Sequence, residues 1–396
     1  MSVLIVAGAL ANKYRNGGEA WVRLSWVAGL RRLGFDVYFV EQIARGACVD
    51  ARGVVADFAV SVNLDWFRSV TRRFDLAGRS ALIYAGGEAC AGVSWPALLE
   101  VASAADLLVN ISGHLTLEPL LSRIRRRAYI DLDPGFTQCW HADPKTPFTL
   151  GGHTHYFTVG ENIGSPGCPI PTSEIPWRPV RQPVVLDDWP VATAPQRVRF
   201  TTIASWRGAF GPVSFGGRAY GLKVHEFRKV LPLPQRVTKA SVGGPVFELA
   251  LDIHAGDAKD LTALHEHGWR VTDPRHVAGD PDTFRQFVQE SGAEFSVAQG
   301  IYVETNSGWF SDRTVRYLAS GKPALVQDTG FSQHYPAGEG LVPFKTLDEA
   351  VAGAEAIVRD YDRHCRAARA IAGAYFDSDK VLTRLLEEIG LCPQPS

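Results

Sequence analysis

The segment ETNSGWFSDRTVRYLASGKPALVQDTG, Glu304 to Gly330, gathers residues suited to holding an anion. Its pattern predicts a helix from about Ser311 to Ser320, capped by Ser311 or Asp312 and ended by Gly321 and Pro323. A helix N-terminus offers unpaired N–H groups and about half a positive charge, so a phosphate is its natural partner. Arg313 and Arg316 on the first turn and a half add charge-assisted donors, Gly308 lets backbone approach a ligand, and Ser307 adds a hydroxyl. The same pattern also suits a surface helix whose donors Asp312 satisfies on its own.

Groups suited to proton transfer lie in the first half. His114 follows the apolar run DLLVNISG, where an imidazole either faces a substrate or serves the structure. Asp131 and Asp133 in DLDPG alternate, so one faces outward from a strand's carboxyl end and the other caps the turn; one is a candidate general base. Glu19 opens an amphipathic helix after NGG, as a base toward a hydroxyl or as a first-turn glutamate favoured by the helix dipole. Two other clusters read as inert. The run RIRRR (123–127) has neither interleaved aromatics nor a net positive chain behind it, and HEH (265–267) lacks the i, i+4 spacing of metal ligands. No metal site is expected.

The elements that must position these groups alternate. VLIVAGA at the start reads as a buried strand, LANKYRNGG as a polar loop, EAWVRLSWVAGLRRLG as a helix and DVYFVE as a second strand. This unit implies a parallel sheet with a right-handed crossover. Further runs at 81–87, 106–113, 127–135 and 155–164 continue it. A proline-dense stretch then interrupts, and the alternation resumes at RVRFTTIASW. The tail is helical, with stripes Leu347, Val351, Ala354, Val358 and Val381, Leu382, Leu385, Leu386, Ile389. A chain of 396 residues suggests two domains, and a net charge of −1 gives no argument for nucleic acid or an anionic membrane. Six scattered cysteines without CxxC spacing, no signal-like start and no long apolar run predict a cytoplasmic protein.

RYLASGKPALVQDTG resembles the part of GT-B glycosyltransferases where a helix ends in Ala-(Ser/Cys)-Gly-x-Pro and the next strand runs into Asp-Thr-Gly. NGGEAWVRLSWVAGLRRLGFDVYFV is similar to their glycine-glycine loop after strand one. TIASWR followed by GLKVHEFRKV resembles their strand-Arg and Lys-helix pair. Many retaining members carry Glu-x7-Glu; here Gly308 and Arg316 stand at those positions, and a Ser/Asp-x-Arg helix resembles the spore-maturation-type branch.

The resemblance implies an α/β chain of GT-B fold, two Rossmann-like β/α/β domains facing across a cleft. Residues 1–175 would bind acceptor, 176–197 would link, 198–375 would bind donor, and 376–396 would form a helix crossing back. It implies transfer of a sugar from a nucleotide-diphosphosugar to a small-molecule or glycan acceptor, with no metal and no cofactor; a homodimer is compatible with it. Arg207 and Lys223 would neutralise the diphosphate, and Gly17 and Gly18 would offer backbone N–H groups to it or to the acceptor. Val271 and Thr272 would meet the base, and Asp328 and Thr329 the sugar hydroxyls, with Glu304 as rival. Two alternatives stay in view. Glu41 at the end of strand two suggests an NAD-dependent oxidoreductase, although GALANK lacks GxGxxG; a non-catalytic two-domain binder is the other.

Overall fold

Short apolar runs bounded by glycine and polar residues become strands because both faces are covered by helices. The computed structural model describes residues 2–148, 150–193, 195–239 and 244–392. Its first sheet contains β1 (Val3–Ala7), β2 (Asp36–Ile43), β3 (Ser80–Tyr84), β4 (Ala89–Gly92), β5 (Ala105–Ile111), β6 (Arg127–Asp131), β7 (His155–Thr158) and β8 (Arg178–Pro179). They lie in the order β4-β3-β2-β1-β5-β6-β7-β8, parallel except for β4, which pairs antiparallel with β3.

The second half supplies β9 (Arg199–Ser205), a hairpin of β10 (Val213–Phe215) and β11 (Arg218–Tyr220), then β12 (Val246–Asp252), β13 (Arg270–Thr272), β14 (Ala293–Ser296), β15 (Ala324–Gln327) and β16 (Leu341–Phe344). Its parallel sheet runs β13-β12-β9-β14-β15-β16. In both sheets the strand order reverses beside the first strand, between β1 and β5 and between β9 and β14. A crevice opens outside the carboxyl ends at such a reversal. The fold is GT-B, two Rossmann-like units whose crevices face one another.

The two units are joined on both flanks of the cleft. On one side the Gly17–Arg32 helix enters the second unit. Gly17 N–H donates to the Ala278 carbonyl at 2.8 Å and Trp21 Nε1 to the Pro281 carbonyl at 2.7 Å. A Cβ on Gly17 would lie 2.1 Å from the Asp280 carbonyl oxygen, so only glycine permits this approach. On the other side Gly160 and Trp309 form an antiparallel bridge, Asn162 N–H donates to the Ser307 carbonyl at 3.1 Å, and Asn162 Nδ2 donates to the Asn306 carbonyl at 2.8 Å.

The Ser378–Ile389 helix returns to the first unit, burying Val381, Leu382, Leu385, Leu386 and Ile389 in its core. In the Leu347–Arg359 helix the buried stripe is Ala350, Ala354 and Ile357, while Val358 is exposed, because the sheet meets the helix a fraction of a turn from the predicted face. Among the described residues, no helix is long and apolar enough to cross a membrane.

Candidate active site

The loop after β1 carries the first functional residues, and a buried carboxylate shapes it. Glu41, at the end of β2, accepts N–H groups from Leu10 (2.9 Å), Ala11 (2.6 Å) and Asn12 (2.9 Å). Burial outweighs those bonds and pushes its carboxyl up to about 7. Glu41 therefore anchors the turn that delivers Lys13 and Arg15 to the cleft. The carboxylate that suggested an oxidoreductase is thus consumed within the first unit.

Two connected cavities occupy the cleft. The larger, about 630 Å³, lies between the Lys13–Glu19 loop of the first unit and, in the second, the Ser205–Ala209 loop, Lys223, Asp273–Arg275 and the start of the Asp312–Ala319 helix. The smaller, about 350 Å³, extends into the first unit among His114, Tyr129, Asp133, Trp140 and Phe148. Lys13, Glu19, Val22, Ala209 and Asp312 line both.

The larger cavity is lined by five cationic side chains, Lys13, Arg15, Lys223, Arg275 and Arg313, and four carboxylates, Glu19, Asp252, Asp273 and Asp312. Lys13, Arg15 and Lys223 form no ion pair among the described residues, although they converge from opposite walls. Lys223 opens the Lys223–Arg228 helix, its backbone N–H held by Gln299 Oε1 at 2.8 Å. Burial, with Arg313 nearby, lowers its ammonium to about 8. Arg313 is fixed by Glu294 Oε1 (2.7 Å), the Ile203 carbonyl (2.8 Å) and Ser296 Oγ (2.6 Å), and it lines the same cavity. Ser311 caps the helix, accepting Arg313 N–H at 3.3 Å, and Asp312 sits where the cavities meet. Asp312 is paired with Arg316 at 2.7 Å.

The smaller cavity holds the proton-transfer candidates. Asp131 is buried and saturated, accepting from Thr137 Oγ1 (2.6 Å), Gln138 Nε2 (2.8 Å), Thr158 Oγ1 (2.7 Å) and Asp133 N–H (3.0 Å). Asp133 is the member that faces the cavity, and Tyr302 Oη of the second unit donates to it at 3.2 Å. Burial, then the charges of Asp131 and Glu19, push the Asp133 carboxyl up to about 7. His114 is drawn down to about 4 by burial and by Arg23 and Lys13, so its ring is neutral near pH 7. Burial alone would raise Glu19, but Arg23, its ion-pair partner, and Lys13 hold it below the usual carboxylate range.

Several expected ligand contacts are corrected. Arg207 is exposed and bound through both guanidinium arms to Asp257, with Nε at 2.9 Å, outside the cavity lining. A carboxylate at the next crossover matches its fork better than the open cleft does. Glu304 pairs with Arg218 at 2.6 Å and steadies the β10–β11 hairpin. Ser307 is fully buried, its Oγ donating to the Tyr302 carbonyl at 3.3 Å and accepting Trp309 N–H at 3.2 Å.

Gly308, at φ +75°, does allow a close backbone approach, but to Glu161 and Asn162 of the first unit. Asp328 caps its own turn, accepting Gly330 N–H at 2.9 Å and Ser332 Oγ at 2.8 Å, and Thr329 Oγ1 donates to the Trp309 carbonyl. Arg316 is buried against Ser25 and over Trp189. The Gly17 N–H is taken by Ala278, and Gly18 lines the larger cavity while its Cα faces the Phe284 ring. Val271 and Thr272 pair with Leu249 and Ala250 and lead into Asp273–Arg275, which reach the cavity. Among the described residues, no group of three or more His, Cys, Asp or Glu is placed to hold a metal ion.

Sequence reasoning missed Lys13, Arg15, Arg23 and Arg275. The first two stand in the polar loop before NGG, so their type and place were readable; the pairing of Arg23 with Glu19 was readable only as an i, i+4 spacing.

No model of a known protein family matches the chain, and no curated protein matches it either. Solved structures do match in fold. HepE from Anabaena, determined with UDP and glucose, shares 11% identity over 98% of this chain and 100% of its own, at a TM-score of 0.55. An α-glucosyltransferase, determined with UDP and a DNA 13-mer, shares 11% over 98% and 99% at 0.56. Sucrose-phosphate synthase from Thermosynechococcus elongatus shares 9% over 98% and 99% at 0.53. At these identities the likeness establishes the GT-B architecture across the whole length.

Proposed function

We propose that the protein transfers a sugar from a nucleoside-diphosphosugar to a hydroxyl acceptor. The observation that carries this reading is the convergence of three unpaired cations, Lys13, Arg15 and Lys223, with Arg313 and a helix N-terminus on one cavity of about 630 Å³. A diphosphate is the small ligand whose charge and two-centred shape match two cationic walls. Its nucleoside would extend toward Asp273–Arg275 after β13, and its sugar toward the junction at Asp312 and Glu19.

The acceptor hydroxyl would then lie in the smaller cavity beside Asp133. As the acceptor oxygen bonds the anomeric carbon, its proton passes to Asp133 and the bond from that carbon to the diphosphate oxygen breaks. Lys223 and Arg313 stabilise the charge that develops on the departing oxygen, the role preorganised cations perform best in a site of low dielectric. In this reading the chain's own cations serve in place of a metal. A raised Asp133 suits it as base near neutral pH, and Glu19 holds Arg23 and tunes Asp133. The helix at Ser311 and Asp312 thus faces phosphates, and its Ser/Asp-x-Arg start is consistent with the divergent branch that the sequence resembles.

HepE and the α-glucosyltransferase were determined with UDP, which makes UDP the first nucleotide to test. Calorimetry should detect UDP binding that Lys223→Ala weakens, and UDP-sugar with a suitable acceptor should release UDP. If no nucleoside diphosphate binds, the proposal fails.

A further inference from the structure

We propose, building on the glycosyl-transfer reading, that the pocket at the Asp133 end takes an uncharged, planar aromatic alcohol as acceptor. Five rings, Tyr129, Trp140, Phe148, Phe210 and Trp309, line a space of about 350 Å³. They come from both units, and three of them, Trp140, Phe148 and Phe210, form one contiguous group, while Trp309 and Tyr129 are held by rings outside the lining. Trp140 meets Phe210 edge-on with centroids 4.8 Å apart and Phe148 at 5.9 Å, and Trp309 stacks on Tyr302 at 4.6 Å. Aromatic pairs favour offset and edge-on contacts, so such a cage is shaped for another flat ring.

Charge argues in the same direction. The titratable groups facing the pocket are Lys13, Glu19, Arg23, His114, Tyr129, Asp133 and Asp312. Arg23 is neutralised by Glu19, and Asp312 by Arg316. Among the described residues only Lys13 remains as an unpaired cation there, and it stands at the junction with the diphosphate cavity. A phosphorylated or carboxylated acceptor would thus lie against carboxyl groups without a cation of its own. A neutral sugar would set several hydroxyls against the rings of Trp140, Phe148, Phe210 and Trp309, and each hydroxyl not met by Ser112, His114, Thr137 or Gln182 on the remaining lining costs binding. An aromatic alcohol has one hydroxyl to place, and Asp133 is there to receive its proton. The aryl oxygen forms the new glycosidic bond as the sugar–diphosphate bond breaks.

The test uses the full chain and titrates UDP first, without acceptor. Failure of UDP and of every other nucleoside diphosphate to bind overturns the transfer reading and this assignment with it. With UDP bound, calorimetric titration compares 4-methylumbelliferol, methyl α-glucoside and glucose 6-phosphate. Binding of the umbelliferol in preference to both sugars is the expected result. Preference for either sugar, or binding of none, overturns the aromatic assignment while the nucleotide site stands. Trp140→Leu should weaken the umbelliferol about tenfold, the scale of a lost aromatic contact, with UDP affinity unchanged as proof of folding. Unchanged umbelliferol affinity in that variant would place the ring elsewhere and overturn the proposal.

Discussion

At the Lys223 end of the cleft the lining is loop backbone, unpaired cations and a capped helix start; at the Asp133 end it is aromatic rings around two groups held close to neutral. The same physical cause, burial, acts on both ends with opposite consequences. It lowers the Lys223 ammonium to about 8 and raises the Asp133 carboxyl to about 7, so each is brought toward neutral pH from its own side. The contrast teaches that one half is built to hold charge and the other to move a proton. The boundary between them, where Glu19 and Asp312 line both cavities, is where the reacting bond belongs.

Two substitutions carry the largest expected effects, and the first breaks the charge-holding half. Lys223→Ala should lower kcat/KM by about 10²–10³, the usual loss when one preorganised electrostatic group is removed, with the melting temperature little changed. Asp133→Asn breaks the other half and should lower kcat by about 10²–10⁴ while nucleotide affinity holds. Loss of UDP affinity in Asp133→Asn but not in Lys223→Ala would reverse the assignment of the two ends.

The pH profile sharpens the comparison within one experiment. Asp133 must be ionised to accept a proton and Lys223 must be protonated to hold the diphosphate. Therefore kcat/KM should rise with pH through about 7 and fall through about 8. Lys223→Arg should remove the alkaline limb alone, because a guanidinium keeps its charge. A flat profile in the wild type would contradict both roles.

Smaller effects test what sets the two halves apart in space. Gly17→Ala forces a Cβ onto the Asp280 carbonyl, and such overpacking should cost about 1–3 kcal/mol, read as a lower melting temperature. Arg207→Ala should change kcat/KM by less than about fivefold, since an exposed ion pair contributes little. A loss as large as that of Lys223→Ala would mean that Arg207 leaves Asp257 to serve the site.

Much of this was legible in the residues. Apolar runs ended by glycine announced the parallel strands, and Ser311 announced its own cap. The carboxylate pair Asp131 and Asp133 was readable as one inward and one outward group, because alternation is a local property. What was not legible depends on partners distant in sequence. Nothing near Thr329 reveals that its hydroxyl is taken by the Trp309 carbonyl, and nothing near Arg207 reveals Asp257, whereas the turns that occupy Ser307 and Asp328 use partners only two to five residues away. Gly17 was read as a backbone donor to a ligand and Gly308 as a close approach to one, yet both meet the opposite unit, since a glycine signals closeness without naming the partner. The aromatic pocket draws its rings from positions spread between Tyr129 and Trp309, a spacing without any period to detect.

The most direct test of the central claim is a thermal melt of the wild-type chain and of Lys223→Ala with UDP, other nucleoside diphosphates and NAD. A ligand at 100 times its Kd adds about 2.7 kcal/mol of stability, so the account predicts a clear upward shift with one nucleoside diphosphate that Lys223→Ala diminishes. A shift with NAD alone, or an equal shift in both proteins, would contradict it.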